Sequence, residues 1–305
     1  MSTSVWTRLL RLKRPQHAFV LTESRLVYVS RRDPSTGKPS TAENAVVKTA
    51  SRPLPEGTFR PGKGNAPVAD GALQNAIIAL VREGGGKVHA ASLVVPDHFV
   101  EVLSVDVDDP DKRPKEAAEI LSWKFAKVFG EPLPPLRLGW QTAGPGVDGV
   151  RVLAVATPEE AAASWEAPFA AAGVRIGSLE TASLAVSALG LAAVSGNGFV
   201  VWAEGRSTTA LFFENGSLRF MRTRPTADPE DALQEIRLAA SFVSKNGPID
   251  VEGACAAGPF SSPVVERFRA FRAEAGGKEP VAIGGKAGDD PAVAVALGAM
   301  AKAEG

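Results

Sequence analysis

The sequence predicts an α/β protein with a duplicated plan, in which two mixed-sheet halves carry a small α+β module inserted into the first half. The first observation is a run of three short strands, a β-meander, at 18–50 and again at 198–222. The second is that helices and strands alternate after each meander, which is typical of a sheet with helices on both faces. The third is the segment 97–157, which interrupts this alternation in the first half only.

The first half is predicted from short strand-forming runs and one strongly periodic helix. Strands are expected at 18–21, 25–30, 45–50 and 88–95. The first two strands form a hairpin around Thr22-Glu23-Ser24. A helix is expected at 68–83 because its apolar residues recur every three or four positions. The triplet Gly84-Gly85-Gly86 then ends this helix, since it lacks the Lys-Ser/Thr pair of a Walker phosphate loop.

The inserted segment begins as an alternating strand at 99–107 and continues as a helix at 115–129. One stripe of the helix is apolar: Ala117, Ile120, Leu121, Phe125, Val128 and Phe129. Two more strands are expected at 136–141 and 150–156. The segment therefore predicts a small sheet covered by one helix.

The first half resumes with a helix that follows a capping sequence. Thr157 has the properties of an N-cap, with Pro158 at the first helical position. A strand at 174–179 and an Ala-rich helix at 181–194 follow. That helix carries little charge, so we expect it to be buried on most sides.

The second half opens with the clearest strand pattern of the chain, at 199–203, 208–213 and 217–222. Asn215-Gly216, between the last two strands, is a strong tight-turn signal. The remaining elements alternate, with helices expected at 228–245, 263–274 and 291–302 and strands at 249–256 and 280–283.

The turn between the first two of these strands has two interpretations. It is either an ordinary hairpin or a phosphate-binding hairpin. In the second case Gly205 lets the backbone approach a phosphate, and the N–H groups and hydroxyls of the next residues face it. Those residues are Ser207, Thr208 and Thr209. The stretch itself leaves both interpretations open.

Composition excludes several classes of protein. The 305 residues contain 34 Lys and Arg against 34 Asp and Glu, and this zero net charge argues against binding to nucleic acid. One cysteine and three scattered histidines argue against a disulfide framework and a metal site.

The segment 1–17 lacks a secretory signal, and no apolar run is long enough for a bilayer. Its basic, amphipathic stretch at 4–14 predicts either a weak membrane-surface contact or a frayed tail. We expect a cytoplasmic protein.

Five stretches together resemble a known family: SLVVPDHFVEVLSVDV, KEAAEILSWKFAKVFGEPLPPLRLGWQ, VRVLAVATPEEAAASWEAPFAAAGVRIGSLETASLAV, GFVVWAEGRSTTALFFENGSLRFMRTRP and PAVAVALGAM. The chain resembles the PilM family, the cytoplasmic actin-like proteins of type IV pilus assembly, which have relatives in type II secretion. The resemblance implies an actin-like (ribonuclease H-like) fold. It implies a first half at 18–96 and 158–196, an inserted subdomain at 97–157 and a reduced second half at 197–305.

The departures from the family pattern bear on function. The family grips nucleotide phosphates with Asp-x-Gly-Ser at its first turn, where this chain has Leu21-Thr22-Glu23-Ser24. Its second turn carries Asp-x-Gly, where this chain has Ala203-Glu204-Gly205. A Gly-Gly pair near the adenosine is replaced by Ala256-Ala257-Gly258-Pro259, and only 226–230 stands where a further subdomain is usual. Loss of both Asp positions argues against Mg·ATP, so we expect no cofactor and no catalysis.

The resemblance further implies a scaffold at the cytoplasmic face of the inner membrane, which binds the cytoplasmic tail of a PilN-like bitopic partner near the inserted module. Trp123, Phe125 and Phe129 are the residues to test, because aromatic side chains dominate interface energetics. The alternative is that they pack their helix onto its own sheet. Two other functions remain open: an ATPase or kinase in which Glu23 and Glu204 replace the missing Asp pair, and an interaction protein of this fold unrelated to pili.

Overall fold

The computed structural model describes residues 15–22, 24–32, 46–59, 66–67, 71–85, 88–146, 148–193, 197–204, 207–225, 229–244, 253–258, 265–266, 281–283 and 290–300. In chain order the strands are β1 His17–Leu21, β2 Arg25–Arg32, β3 Val46–Pro53, β4 Ala90–Val95, β5 Glu101–Val107, β6 Leu136–Pro145, β7 Val150–Pro158, β8 Arg175–Thr181, β9 Gly198–Glu204, β10 Ser207–Glu214, β11 Ser217–Pro225, β12 Gly253–Ala257 and β13 Val281–Ile283. The helices are α1 Ala72–Glu83, α2 Pro114–Phe129, α3 Glu159–Ala171, α4 Ala182–Ala193, α5 Pro229–Ser244 and α6 Pro291–Met300, with a 3-10 turn at Asp97–Phe99.

The two larger sheets have the same strand order, and this confirms the predicted duplication. The first sheet runs β3-β2-β1-β4-β8, and the second runs β11-β10-β9-β12-β13. In each, the leading strand pairs antiparallel with the next strand of its meander and parallel with the strand that follows the first helix of its half. Both sheets are therefore mixed, as predicted.

The space between the two sheets is filled by α4 and α6. Their small and branched side chains pack with β1 and β2 on one side and with β9, β10 and β12 on the other, in one continuous buried cluster. Gly298 of α6 lies directly against α4, where an added Cβ would fall 1.9 Å from the carbonyl oxygen of Ala185. The low charge of both helices, noted in the sequence, reflects this burial.

The inserted module is a three-stranded sheet, β5-β7-β6, covered by α2. Arg137 of β6 pairs with Glu159 and Glu166 of α3, and this joins the module to the first half. Arg219 of β11 donates a hydrogen bond to the carbonyl oxygen of Ala143 in β6, and this joins the module to the second half. The module therefore contacts both halves.

Two local predictions were wrong. Thr157 is not an N-cap, because the β6–β7 ladder continues through Pro158 and the helix begins at Glu159. The Thr157 hydroxyl instead donates to the carbonyl oxygen of Phe99 at 3.4 Å. Ile120 was expected on the buried stripe of its helix but is 39 % exposed, since it lies on the same side as Trp123, three residues further on.

Several predicted features lie outside the described residues, among them the stretch 4–14 and most of the helix expected at 263–274. Of the helices in the described ranges, none combines the length and the apolar composition needed to span a membrane.

Candidate functional site

The candidate site is the cleft between the end of β1 with its turn, Trp202 of β9, and the first turns of α4 and α6. Its described wall combines residues of both halves and the first turns of α4 and α6: Val20, Leu21, Thr22, Arg25, Ala182, Trp202, Pro291 and Ala292. This wall is mainly apolar, and the cavity that it encloses measures about 20 Å³. Sites for small-molecule ligands usually measure about 300–1,000 Å³. The cavity between these residues is therefore much smaller than such a site.

The first turn uses its own polar groups internally. The Thr22 hydroxyl accepts hydrogen bonds from the backbone N–H groups of Arg25 at 3.1 Å and Ser24 at 3.4 Å, and donates to the Arg25 carbonyl at 3.0 Å. The N–H of Thr22 also bonds the Arg25 carbonyl, at 3.0 Å. A phosphate-binding turn needs such N–H groups to point at the ligand. In this turn the Thr22 side chain takes that place.

The position before Thr22 is apolar and buried. Leu21, where the resemblance leads one to expect a magnesium-orienting carboxylate, is 2 % exposed and belongs to the hydrophobic cluster under α1 and α3. An aliphatic side chain offers neither charge nor lone pairs to a hydrated metal ion. Of the described residues of the first turn, Leu21 thus offers no ligand to a metal ion, and the Thr22 hydroxyl holds the N–H groups of Ser24 and Arg25.

An ion pair joins the first hairpin to the start of α6 at the mouth of the cleft. Arg25 donates two hydrogen bonds to Asp290, at 2.7 and 2.6 Å. Asp290 also accepts the backbone N–H of Ala292 at 3.0 Å, and so caps α6. Both charged side chains are about a third exposed, so this ion pair contributes little to the stability of the fold. Its main effect is to narrow the mouth of the cleft.

The start of β10, directly after the second turn, also directs polar groups into the protein. Gly205 lies outside the described residues, whereas Ser207, Thr208 and Thr209 are 2 %, 1 % and 0 % exposed. The Thr209 hydroxyl donates to the carboxylate of Asp97 at 2.7 Å and lies 2.9 Å from the Thr223 hydroxyl. Nucleotide binding by these residues stays a prediction.

Asp97 is the charged group that sequence reasoning missed. It follows β4 in the 3-10 turn, is fully buried, and accepts the backbone N–H and the hydroxyl of Ser183 at 3.1 and 2.9 Å, together with the Thr209 hydroxyl. Burial raises the pKa of Asp97, and the hydrogen bonds from Thr209 and Ser183 partly oppose that rise. Because these donors come from α4 and β10, Asp97 ties the root of the inserted module to both halves. A carboxylate directly after an apolar strand was the only signal in the sequence.

Gly258, in the stretch that the resemblance compares with a Gly-Gly pair, has a structural role. Its φ is +104°, and an added Cβ would lie 2.2 Å from the carbonyl oxygen of Ala203 at the end of β9. The residue thus permits a close backbone contact between neighbouring strands.

The two carboxylates considered as replacements for the missing Asp pair are not described: Glu23 and the side chain of Glu204 lie outside the described residues. Within the described ranges, no three His, Cys, Asp or Glu side chains form a group that could hold a metal ion.

The three aromatic residues predicted for partner binding occupy two different faces of α2. Phe125 and Phe129 are 0 % and 8 % exposed and pack against the sheet of the inserted module. Trp123 is 59 % exposed, and the Lys124 and Lys127 ammonium groups lie 5.1 and 4.9 Å from the centre of its ring. Of the three, only Trp123 exposes its ring to solvent.

Comparisons with known proteins rest on structure. No protein-family model matches the chain, and no curated protein matches it in sequence. The structure of a PilM-PilN type IV pilus biogenesis complex matches with a TM-score of 0.71 and 16 % identity over 95 % of this chain and 98 % of that chain. A Bacteroides thetaiotaomicron protein with an actin-like ATPase fold and unknown function matches with a TM-score of 0.53 and 10 % identity, over 89 % and 91 % of the two chains. The cytoplasmic domain of EpsL, an inner membrane component of the Vibrio cholerae type II secretion system, matches with a TM-score of 0.50 and 12 % identity, over 80 % and 82 %.

Proposed function

Starting from the actin-like ATPase fold, which this chain shares with the solved structures, we propose that the protein is a non-catalytic, PilM-like scaffold of a type IV pilus or type II secretion-like assembly at the inner membrane. The observation that carries the proposal is the cleft. Leu21, Thr22 and the Arg25–Asp290 pair lie in the cleft to which the resemblance assigns the phosphates and magnesium of an actin-like ATPase. The scaffold role is supported by the similarity to the PilM-PilN complex along 95 % of the chain.

Millimolar Mg·ATP or Mg·ADP is expected to leave the thermal unfolding midpoint unchanged. A ligand at about a hundred times its dissociation constant adds roughly 2.7 kcal/mol to the free energy of unfolding, which is readily detected. Differential scanning calorimetry with Mg²⁺ alone and with inorganic triphosphate provides the matched controls. A rise in midpoint with Mg·ATP, but not with either control, would show that the cleft opens to nucleotide. Gly205 and Glu204 would then be the residues to substitute, and the displaced-carboxylate ATPase would replace the scaffold as the proposed function.

The partner in this proposal is the cytoplasmic tail of a PilN-like bitopic membrane protein, docked on the inserted module. The module presents one exposed aromatic ring, that of Trp123, and an aromatic anchor of this kind contributes strongly when a partner covers it. Phe125 and Phe129 contribute indirectly, because they hold α2 on its sheet.

Trp123→Ala is expected to weaken binding of the tail by about tenfold or more, because a hot-spot aromatic residue is worth roughly 2 kcal/mol and each 1.4 kcal/mol is a factor of ten. The measurement is fluorescence anisotropy with a labelled synthetic peptide, taken from the cytoplasmic tail of the membrane protein encoded beside this chain. Leu238→Ala is the matched control, since Leu238 is a large apolar side chain, 44 % exposed, on α5 of the other half. Equal affinity for the wild type and Trp123→Ala would remove Trp123 from the interface, and no binding by any variant would overturn the partner assignment.

A further inference from the structure

The outer side of α2 is an exposed face with a regular charge order. Its inner residues, Ala117, Leu121, Phe125 and Phe129, are buried against the module sheet. The opposite side, here called the α2 outer face, consists of Glu116, Glu119, Ile120, Trp123, Lys124 and Lys127. Each of these positions lies three or four residues from at least one other in the set, so together they cover one side of the helix. Ile120 and Trp123, in the middle, are 39 % and 59 % exposed.

The α2 outer face reverses its charge about its own midpoint. The carboxylates lie in the first half of the helix and the ammonium groups in the second half, with the two apolar side chains between them. The midpoint falls between Leu121 and Ser122. Glu116 and Lys127 are equally far from that point, as are Glu119 and Lys124, and as are Ile120 and Trp123.

A two-fold axis through that midpoint would bring complementary groups together. In a two-fold dimer each residue i meets residue j of the partner, and j meets i. Two antiparallel α2 helices would therefore place each Glu beside a Lys and each Ile120 beside a Trp123. We propose that the α2 outer face docks a second copy of this chain in this antiparallel arrangement. This inference goes beyond the proposed scaffold function and does not depend on the identity of its partner.

The charges on the face favour a second copy over a lipid surface. The face carries two carboxylates and two ammonium groups, whereas a surface that binds anionic lipid needs an excess of positive charge. Lys124 and Lys127 lie over the Trp123 ring and have no carboxylate partner within the described ranges. Glu116 is held only by an exposed pair with Arg113 at 3.5 Å, which contributes little to stability. Lys124, Lys127 and Glu116 are therefore available to a partner of matching pattern.

The dimer would be weak and reversible. A helix of 16 residues is about 24 Å long, and a single helix pair covers an area at the low end of specific interfaces. Two copies held side by side in one assembly would meet at a high effective concentration and so overcome this weakness. A partner tail bound at Trp123 and a second copy would exclude each other.

Sedimentation equilibrium on the full chain tests the proposal. The weight-average mass is expected to rise with concentration from 31.8 kDa toward twice that value. Glu116→Lys/Glu119→Lys makes the face wholly basic and Lys124→Glu/Lys127→Glu makes it wholly acidic, so each variant alone is expected to remain monomeric. An equimolar mixture of the two is expected to form a heterodimer, because every cross-pair then joins opposite charges. Each dimer is expected to weaken as salt is raised.

The mixture separates a specific dimer from a general loss of structure. The substituted positions are on the outer face, so the unfolding midpoint of each variant is expected to match the wild type within a degree or two. A wild type that stays monomeric up to about 200 µM, beyond the usual range of a weak specific contact, would overturn the proposal. So would dimers that persist in both charge variants, or variants that remain monomeric when mixed.

Discussion

Gly298→Ala is expected to destabilise the protein by about 3 kcal/mol and to lower its thermal midpoint by about 5–10 °C. Gly298 lies where α6 of the second half crosses α4 of the first half. An added Cβ would fall 1.9 Å from the carbonyl oxygen of Ala185, 2.6 Å from its carbonyl carbon and 3.3 Å from the nitrogen of Val186. These are backbone atoms, so no side-chain rotation relieves the overlap and the two helices must separate. Alanine is favoured over glycine in a helix by about 1 kcal/mol, so the loss would be observed against an opposing gain.

The matched control is Gly216→Ala, in the turn between β10 and β11. An added Cβ there meets no atom within 4 Å, and its only cost is the left-handed φ of +74°. This strain is worth about 1 kcal/mol, so the control is expected to lose much less stability than Gly298→Ala in the same calorimetric scan. If Gly298→Ala unfolds at or above the wild-type midpoint, the two central helices are not in backbone contact.

The order of helices and strands was predictable because local patterns determine it. Asn215 and Gly216 adopt positive φ values of 50° and 74°, and this is the tight turn that the dipeptide predicts. The apolar stripe of the helix at 115–129 likewise included Phe125 and Phe129 but not Trp123. The same period therefore already separated the buried rings from the exposed one, although all three had been grouped as partner-binding residues.

The interior of the cleft was not predictable from local patterns. Hydrophobic periodicity shows which side of an element is buried but not which distant side chain it meets. Asp97 bonds Ser183 and Thr209, which are 86 and 112 residues further along the chain. Arg25 and Asp290 are separated by 265 residues. Thr22 differs in this respect, because its bonds to Ser24 and Arg25 lie within one turn, and a polar residue at that position is itself a turn signal.

Asp97→Ala is expected to cost about 3 kcal/mol of folding free energy, because it leaves buried donors without an acceptor. The carboxylate receives three hydrogen bonds from Ser183 and Thr209 at 2.7–3.1 Å in a site without solvent. After the substitution, the Ser183 N–H and hydroxyl lose this partner, whereas the Thr209 hydroxyl keeps the Thr223 hydroxyl at 2.9 Å. Thr209→Val removes one donor and its need for an acceptor. The double variant Asp97→Ala/Thr209→Val is therefore expected to be more stable than the sum of the two single effects.

Asp97→Asn gives the pH dependence of the same site. Burial raises the pKa of Asp97 in the folded state above its unfolded value, so the folded protein binds this proton more readily. The stability that this proton contributes is present at low pH and is lost as pH rises through the folded pKa. Relative to Asp97→Asn, the wild type is therefore expected to gain stability as pH falls from 7 toward the unfolded carboxyl value of about 4. Urea unfolding at a series of pH values measures this difference.

Asp109→Asn is the comparison variant, because folding shifts the pKa of Asp109 in the opposite direction to that of Asp97. The hydrogen bond from Lys112 lowers the pKa of Asp109, an exposed residue whose positive φ of 33° asparagine also tolerates. The contribution of Asp109 is fully present above its unfolded pKa of about 4 and is lost only as pH falls below that value, so the wild type is expected to keep its stability relative to Asp109→Asn between pH 7 and about 4 and to lose it at lower pH. If the wild type gains no stability relative to Asp97→Asn between pH 7 and about 4, as is expected for Asp109→Asn, Asp97 is not held in a desolvated site. A gain relative to Asp97→Asn in that range, with no change relative to Asp109→Asn, would identify Asp97 as the buried carboxylate that joins the module root to α4 and β10.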